Sequence, residues 1–323
     1  MTDTTQPRAN RPGFSVIVPT YRRLLPLRDC LKALAAQDYP RDRFEIIVVD
    51  DGNIDAVEPN IRDLTQRMNC RVLRQPNRGP AAARNAAAAI AAHQWLAFTD
   101  DDCLPRPEWL RHLEEALGRS PDALVGGLTI NQLVRNVYAQ ASQDLIDYLY
   151  AYFNADPLNA RFLTSNNIAA SRGTFFEVGG FNAALTGAGG EDRELGDHWR
   201  AMGFPLQYID GAIVDHQHEM DLGGFLRQQF GYGRAAPMYH QVRALRGQKA
   251  HNGRTPEPLS FYTRMFRSSL REGSGGVARR CQRLSLMLLT QLAYTAGVVV
   301  EIAWFRRQLG SIHHANSQKP GIS

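Results

Sequence analysis

Hydrophobic runs and amphipathic stretches alternate along the first hundred residues of the chain. β-Branched and aromatic residues form four short runs that predict strands, at 14–19, 44–49, 70–73 and 95–98. Apolar residues at helical spacing predict helices between these strands, at 24–37, 54–68 and 81–92. This alternation predicts an α/β fold with a mainly parallel sheet flanked by helices, and such a sheet binds ligands at the carboxyl ends of its strands.

The pattern after residue 120 predicts fewer elements. The stretch 127–157 is rich in large residues and predicts either a helix that packs on the sheet or a wall that faces an acceptor. A helix is predicted to begin at Glu191, a strand to cover 212–214, and another helix to cover 225–234. The segment 243–258, which is basic and punctuated by Gly and Pro, predicts a loop or linker.

Polar residues follow each of the four early strands, and they are Thr20–Tyr21, Asp50–Asp51, Asn77–Arg78 and Asp100–Asp102. Because parallel strands end at one edge of a sheet, these acids, a cation and hydrogen-bonding groups are expected to lie together. No GxGxxG motif follows the first strand and the chain contains no GxxxxGK[ST] motif. These absences argue against dinucleotide and P-loop phosphate sites, so a metal at the acidic cluster is the candidate phosphate-binding device.

The acidic cluster at residues 100–102 is the first candidate active site. Three adjacent carboxylates repel one another, so a fold tolerates them best where a cation or a hydrogen-bonded ligand neutralises them. In an extended chain Asp100 and Asp102 would face one ligand while Asp101 points away. The spacing suits a divalent metal that holds a diphosphate, and the alternative is a turn with solvated acids.

Composition and charge narrow the functional classes. A chain of 323 residues, 44% of them hydrophobic, can hold one large or two modest domains with a buried core. Its four widely spaced cysteines argue against a disulfide framework or a structural zinc site and indicate a reducing cytosol. The net charge of +5 divides into −7 for residues 1–221 and +12 for residues 222–323. The basic part suits anionic lipid or a phosphorylated substrate, whereas nucleic acid is disfavoured because no zinc finger or RNP-type run is present.

Eight motifs lie between residues 13 and 235, at 15–21, 48–52, 77–85, 98–102, 164–167, 179–181 and 190–192 and in the segment around His216. In this order they resemble the motifs of the family 2 glycosyltransferases of the GT-A fold. Each motif is weak alone, but eight in the family order are specific. Asn53 departs from the Ser or Thr usual in the family, and either type can cap the helix that follows. The resemblance implies a Rossmann-like GT-A sheet that binds a nucleotide-sugar.

The resemblance also implies which residues bind the donor. Pro19, Thr20 and Tyr21 would pack around the base, and Asp51 would accept a hydrogen bond from a ring N–H of that base. Uracil, thymine and guanine have such a donor, so UDP, dTDP or GDP is admitted, and the family favours UDP. The remaining implied donor-site residues are Arg78, Arg84, Asp100 and Asp101. Sequence position alone would make Arg84 a surface cation on its helix.

Catalytic and metal-binding roles follow from the same resemblance. Asp102 would bind Mn²⁺ or Mg²⁺ with His216 as a second ligand, although HxH spacing places His218 on the same face of a strand. Asp192 would be the catalytic base, and Glu191 would contact the acceptor or position the loop. Their place at a helix N-terminus predicts a lowered pKa, and simple helix capping is the alternative role.

These inferences predict an inverting, metal-dependent transferase that moves a sugar from a nucleotide-diphosphate sugar to an acceptor hydroxyl. The acceptor would be a saccharide or a lipid-linked saccharide, in polysaccharide, glycolipid or cell-envelope synthesis. Two alternatives remain open. A nucleotidyltransferase acting on sugar phosphates would release pyrophosphate from a triphosphate, and an inactive nucleotide-sugar-binding protein would keep the fold without catalysis.

The predicted domain organisation has three parts, which are a disordered leader at 1–12, a GT-A domain at 13–221 and a basic helical region at 222–323. The run 284–300 carries no charged residue and lies between arginines. It predicts a helix that pairs with the core or with a second subunit in a homodimer, or that lies on an anionic membrane surface. The expected location is cytoplasmic. If the helix lies on a membrane surface, the expected location is peripheral on the inner face of the cell membrane.

Overall fold

The computed structural model describes residues 12–185, 189–247, 257–271 and 277–317, with the side chains of 269–271 and 308–317 left out. The strands are β1 (Phe14–Thr20), β2 (Phe44–Asp51), β3 (Cys70–Gln75), β4 (Trp95–Thr99), β5 (Cys103–Pro105), β6 (Leu124–Asn131), β7 (Asn167–Ser171) and β8 (Leu206–His216). The helices are α1 (Leu24–Ala35), α2 (Glu58–Thr65), α3 (Pro80–Ile90), α4 (Trp109–Arg119), α5 (Val137–Phe153), α6 (Arg172–Glu177), α7 (Glu191–Ala201), α8 (Leu222–Leu245), α9 (Leu259–Arg271) and α10 (Val277–Ser317).

All eight strands form one sheet in the order β3-β2-β1-β4-β7-β6-β8-β5. The first four strands in this order are parallel, β7 runs antiparallel to both of its neighbours, and β6 and β8 are again parallel to each other. The mixed, mainly parallel sheet flanked by helices is confirmed. Because β7 is reversed between β4 and β6, β8 runs in the same direction as β4. The carboxyl ends of β1, β2, β4 and β8 therefore lie at one edge.

Alternate residues of the central strands belong to two hydrophobic layers, one on each face of the sheet. Val16 and Val48 face a layer that includes the buried faces of α1 and α4, with Trp109 fully buried. Ile17 and Ile47 face a second layer that includes α3 and α7. Burial on both faces explains why β1 and β2 are nearly continuous apolar runs, as is usual for parallel strands.

Asn167, the last residue of the fifth motif, is a buried link between three elements. Its Oδ1 accepts a hydrogen bond from Trp109 Nε1 at 2.8 Å, and its Nδ2 donates to the carbonyls of Leu128 at 3.0 Å and Ala212 at 2.9 Å. The side chain is fully buried. Its removal would therefore leave the Trp109 N–H and the two carbonyls without a hydrogen-bond partner, because water does not reach them. Asn167 thereby ties β6 and β8 to α4.

Several local predictions differ from the structure. The helix predicted at 54–68 is shorter, since α2 covers Glu58–Thr65 and Val57 precedes it. Asn53 does not cap this helix but donates from its backbone N–H to Asp50 Oδ1 at 3.0 Å. The stretch around 127–157 contains α5, whose Tyr150 packs edge-on against Tyr208 of β8 with ring centroids 5.3 Å apart. Tyr150 therefore has the packing role rather than that of an acceptor wall.

The chain divides into two compact units, Met1–Thr186 with Glu191–Glu219, and Gly187–Gly190 with Met220–Ser323. The predicted leader, 1–12, lies outside the described residues except for Pro12. Helix α8 continues to Leu245, so the prediction of a loop from residue 243 is wrong at its start, and residues 248–256 lie outside the described part. In the second unit, Val277–Arg307 is long and apolar enough to cross a membrane by length and composition alone.

Candidate active site

Asp102 lies in the turn that follows β4, and two histidines approach it from the end of β8. Its Oδ2 is 3.3 Å from His216 Nε2 and 2.8 Å from His218 Nδ1. The candidate ligand atoms of the three residues all lie within 4.8 Å of one another. Parallel β4 and β8 end at the same edge of the sheet, which explains this convergence. The structure thus adds His218 to the pair, Asp102 and His216, selected from the sequence.

A carboxylate with two imidazoles is a suitable ligand set for a divalent metal ion. Burial works against the charge of Asp102, but hydrogen bonds from both histidines and the charge of Arg23 hold its pKa well below the usual range. The same hydrogen bond raises the pKa of His216 despite its burial. An ionised carboxylate that is already hydrogen-bonded to nitrogen atoms can exchange those partners for a metal.

Arg23 is a site residue that sequence reasoning missed. It precedes α1, and its Nη2 contacts Asp102 Oδ2, while its Nη1 lies 3.1 Å from Asp101 Oδ1. Arg23 Nη2 also lies 3.1 Å from His218 Nδ1. The available signal was a cation four residues beyond the end of the predicted strand 14–19, in the same polar segment as Thr20 and Tyr21.

The three adjacent acids do not alternate as an extended chain would. Residues 100–102 form a turn, in which the N–H of Cys103 donates to the carbonyl of Asp100 at 3.1 Å. Asp101 is 3% exposed, and Thr20 Oγ1 donates to its Oδ2 at 2.7 Å. Burial raises the pKa of Asp101 to about 7, with Arg23 opposing this shift. Asp101 and Asp102 thus share Arg23, and the expectation that Asp100 pairs with Asp102 is wrong.

Asp51 is buried at the end of β2 and holds the loop that leads into α3. Its Oδ1 accepts from Gln75 Nε2 at 2.7 Å and from the Arg78 N–H at 3.0 Å, and its Oδ2 accepts from the Gly79 N–H at 2.9 Å. A carboxylate offers about four acceptor positions, so roughly one remains. Gly52 follows with φ of 87°, and a Cβ there would lie 2.5 Å from the backbone N of Asn77.

The residues predicted to surround the base lie at the ends of β1 and β3. Pro19 is half-buried, Thr20 is buried, and the ring of Tyr21 is 39% exposed. The guanidinium of Arg22 lies 4.9 Å from the centroid of that ring. The side chain of Arg78 is exposed, and its backbone contacts Asp51. These positions leave an aromatic face and a cation accessible at this edge of the sheet.

Arg84 joins Asp100 to the acid pair of the seventh motif. Its Nη2 donates to Asp100 Oδ1 at 2.6 Å, and its Nη1 donates to Glu191 Oε1 at 3.2 Å. The guanidinium also lies 5.3 Å from the ring centroid of Phe181. With only 3% of its surface exposed, Arg84 is not the surface cation that its sequence position suggested.

Glu191 and Asp192 begin α7, but their pKa values are raised rather than lowered. Burial raises the pKa of Glu191 to about 7, repulsion from Asp192 adds to the shift, and Arg84 opposes it. Burial also raises the pKa of half-buried Asp192, against hydrogen bonds from the N–H groups of Arg193 and Ser165. The prediction of a lowered pKa is wrong, because desolvation outweighs the helix N-terminus.

The sequence is similar to that of known proteins. The family model described as "Glycosyl transferase family 2" matches residues 15–179. Chondroitin synthase of Escherichia coli is 28% identical over 241 residues, which is 64% of this chain and 34% of that protein. Validoxylamine A glucosyltransferase of Streptomyces hygroscopicus subsp. jinggangensis is 29% identical over 223 residues, 60% of this chain and 53% of that protein. The chain thus spans about a third to a half of the length of these relatives.

Among solved structures, the mannosyltransferase PcManGT from Pyrobaculum calidifontis, in complex with GDP-Man and Mn²⁺, has a TM-score of 0.64 at 18% identity. The match covers 90% of this chain and 87% of that one. At this identity the likeness establishes the fold alone, and the fold is that of a GT-A glycosyltransferase. With the family model matching half of the chain, and with the sheet order and motifs in agreement, the chain belongs to glycosyl transferase family 2.

Proposed function

We propose that the protein is an inverting glycosyltransferase that moves a sugar from a nucleotide-diphosphate sugar, with UDP as the preferred nucleotide, to an acceptor hydroxyl. One observation carries this proposal. Asp102 with two histidines, and the acids Glu191 and Asp192 beside Arg84, both lie at the carboxyl edge of the sheet within one compact unit. A group for binding a diphosphate and a group for deprotonating an acceptor are thereby present together.

Asp102, His216 and His218 are the residues that would hold the metal. When bound there, a divalent cation neutralises the charge of the diphosphate leaving group. Imidazole ligands suit Mn²⁺ better than Mg²⁺, which prefers oxygen ligands and retains its waters. Two histidines in the set therefore favour Mn²⁺, which refines the choice that the sequence left between the two ions.

Nucleotide selection would rest on Asp51. Three N–H groups of the chain occupy most of its acceptor positions, so about one remains for a ring N–H of the base. Uracil, thymine and guanine supply this hydrogen and cytosine and adenine do not. Among the three, the family resemblance favours UDP, with Tyr21 and Pro19 packing on the base. Arg78 would contact the donor from the same edge.

Asp192 would accept the proton of the acceptor hydroxyl as that oxygen attacks the anomeric carbon from the face opposite the diphosphate. A raised pKa makes it a better base than an ordinary aspartate at neutral pH, provided that it is ionised. Glu191 Oε2 is buried and has no hydrogen-bond partner among the described residues, which fits an acceptor hydroxyl as its ligand. Arg84 would orient Glu191 toward that hydroxyl.

The raised pKa values predict an acid limb near neutrality in the pH profile of transfer. Burial raises the pKa of Glu191 to about 7 and also raises the pKa of Asp192, so this acid pair takes up a proton at a higher pH than ordinary carboxylates would. We expect kcat/KM to fall by about tenfold per pH unit once the pH drops below the pKa of the pair, which lies above the normal range of an aspartate. Donor binding measured over the same range at saturating Mn²⁺ separates this limb from protonation of His216, whose pKa is also raised.

A donor screen tests the proposed function. The protein is incubated with UDP-, dTDP- and GDP-sugars and Mn²⁺, and both thermal stabilisation and slow hydrolysis to the nucleoside diphosphate are recorded. Stabilisation and hydrolysis with a UDP-sugar are the expected results. Pyrophosphate release from a nucleoside triphosphate and a sugar phosphate would indicate the nucleotidyltransferase instead. Binding without turnover of any donor, even with added saccharide acceptors, would indicate an inactive binding protein.

The acceptor is proposed to be a saccharide or a lipid-linked saccharide of the cell envelope, reached from the cytoplasmic side. All four cysteines are unpaired in the structure, as a reducing compartment requires. The basic residues of 222–323 suit a phosphorylated or lipid-linked partner. A homodimer through the C-terminal region is the competing proposal for the same residues.

A further inference from the structure

Helix α10 presents an outward stripe of apolar side chains that nothing in the proposed chemistry uses. Leu288, Leu292 and Val299 are 53%, 67% and 59% exposed. Their spacings of four and seven residues place them on one face of the helix. Val300, 48% exposed, borders this face, and residues 284–300 include no charged side chain. The stripe is therefore an exposed apolar surface several helical turns long.

The opposite face of α10 already has a partner, because it packs against α8. A Cβ on Gly297 would lie 2.2 Å from the carbonyl oxygen of Phe230, and one on Gly233 would lie 2.0 Å from that of Tyr294. Beyond this close crossing, Arg234 Nε donates to buried Glu301 Oε2 at 2.7 Å. The acid within α10 is thus neutralised on the α8 side. The outward stripe is left without charge along its length, and exposed Thr295 is the polar residue between Leu292 and Val299.

Charge at the ends of the stripe distinguishes between two occupants. Exposed Arg279 and Arg280 precede it, and exposed Arg306 and Arg307 follow it. Residues 222–323 carry a net charge of +12, so a second copy would bring two strongly basic regions together. An apolar surface bounded by cations instead complements a bilayer whose head groups are anionic, where each cation contributes about 1 kcal/mol. The charge pattern therefore favours lipid over a homodimer.

The contact with α8 also indicates how the helix would lie. Exposed Arg227 and the ion pair of Arg234 with Glu301 lie on or against α8, which crosses α10 closely, so placing α10 across the hydrocarbon would bring one charge and one ion pair with it at high cost. A helix in the plane of the interface buries only one face, to about 5–10 Å, and leaves the other in water. We propose that the outward stripe of α10 is a membrane-docking surface that inserts in-plane into an anionic bilayer.

The test is flotation of the full-length protein with vesicles of phosphatidylcholine alone or with about a third phosphatidylglycerol, at low and high salt. Wild type is expected to float with the anionic vesicles at low salt and much less with the neutral ones. Leu292→Glu and Val299→Glu are each expected to lower the partition coefficient at least tenfold, because each removes an apolar side chain that would insert into the bilayer and adds a charge that anionic head groups repel. Leu158→Glu is the matched control, since Leu158 is also 67% exposed but lies in the other unit.

An unchanged melting temperature in these variants shows that they are folded. Unchanged donor binding shows that a loss of flotation is independent of the proposed activity. The docking surface is refuted if wild type stays out of the anionic vesicle fraction, or if Leu292→Glu floats as wild type does. Sedimentation velocity provides the remaining comparison. A wild-type dimer that Leu292→Glu converts to a monomer, without flotation of either, would overturn the proposal in favour of a second copy on the stripe.

Discussion

Asp102→Asn is expected to abolish Mn²⁺-dependent donor binding while leaving the protein folded. The substitution preserves volume but removes the charge on which the arginine and both histidines converge. Changes to groups that merely support metal ligands cost about 10–100-fold in affinity, so loss of the only carboxylate of the set should exceed a hundredfold. Calorimetric titration with Mn²⁺, and the thermal shift by donor with and without Mn²⁺, measure the effect.

A matched control for this variant is Asp215→Asn. Asp215 immediately precedes His216 and pairs with Arg106 at 2.9 Å. The substitution therefore removes one negative charge from the same segment without changing any of the three candidate ligands. Mn²⁺ affinity close to that of wild type is expected for the control. If Asp102→Asn and Asp215→Asn bind Mn²⁺ and donor alike, Asp102 is not a metal ligand and the proposed site is wrong.

Asp192→Asn is expected to lower the rate of sugar transfer by about 10²–10⁴-fold, the usual contribution of general base catalysis. Because the amide is similar in size to the carboxylate, and because the hydrogen bonds of Asp192 come from the N–H groups of Arg193 and Ser165 rather than from a candidate metal ligand, donor affinity should remain close to that of wild type. A lowered kcat with unchanged donor binding indicates loss of an interaction made in the transition state. Steady-state transfer and donor thermal shift, measured on the same preparation, give the two quantities.

The pH profile makes this second experiment more specific. Asp192→Asn should lose the acid limb near neutrality together with activity, whereas the exposed Asp210→Asn should retain both. Glu191→Gln offers a contrast, because it removes the carboxylate whose pKa burial and the charge of Asp192 raise to about 7, so a limb that remains in this variant belongs to Asp192. Weakened donor binding in Asp192→Asn at unchanged kcat would make Asp192 a binding residue rather than the base.

The parts of the fold that could be predicted were those with local signals. β1, β2 and β4 are short β-branched or aromatic runs that end in polar residues, and the structure places all three as expected. β6 was missed because Gly126 and Gly127 interrupt its apolar run, and a Cβ at Gly127 would lie 2.1 Å from the Ala212 carbonyl. The reversal of β7 has no local signal, since strand direction is set by pairing across the sheet.

Within the candidate site, motifs predicted which residues lie together but not their environment. The sequence placed Asp102 near His216, and the structure confirms their proximity. It could not show that Arg84 is buried between two acids, because burial depends on segments a hundred residues away. The same limit explains the pKa of Glu191, where desolvation by distant parts of the chain outweighs the local helix N-terminus.

The reversal at β7 also has a consequence for how the chain folds. Groups that meet at Asp102 come from positions far apart in the sequence: Arg23 and His218 are separated by 195 positions, and Asp102 and His218 by 116. Such contacts form only after large loops have closed, which places them late and makes folding slow compared with a helical bundle. On the ribosome, the four parallel strands could pair well before β8 emerges. The four parallel strands would then be paired before His216 and His218 are available, and a chain interrupted before β8 would leave Asp102 without both of them.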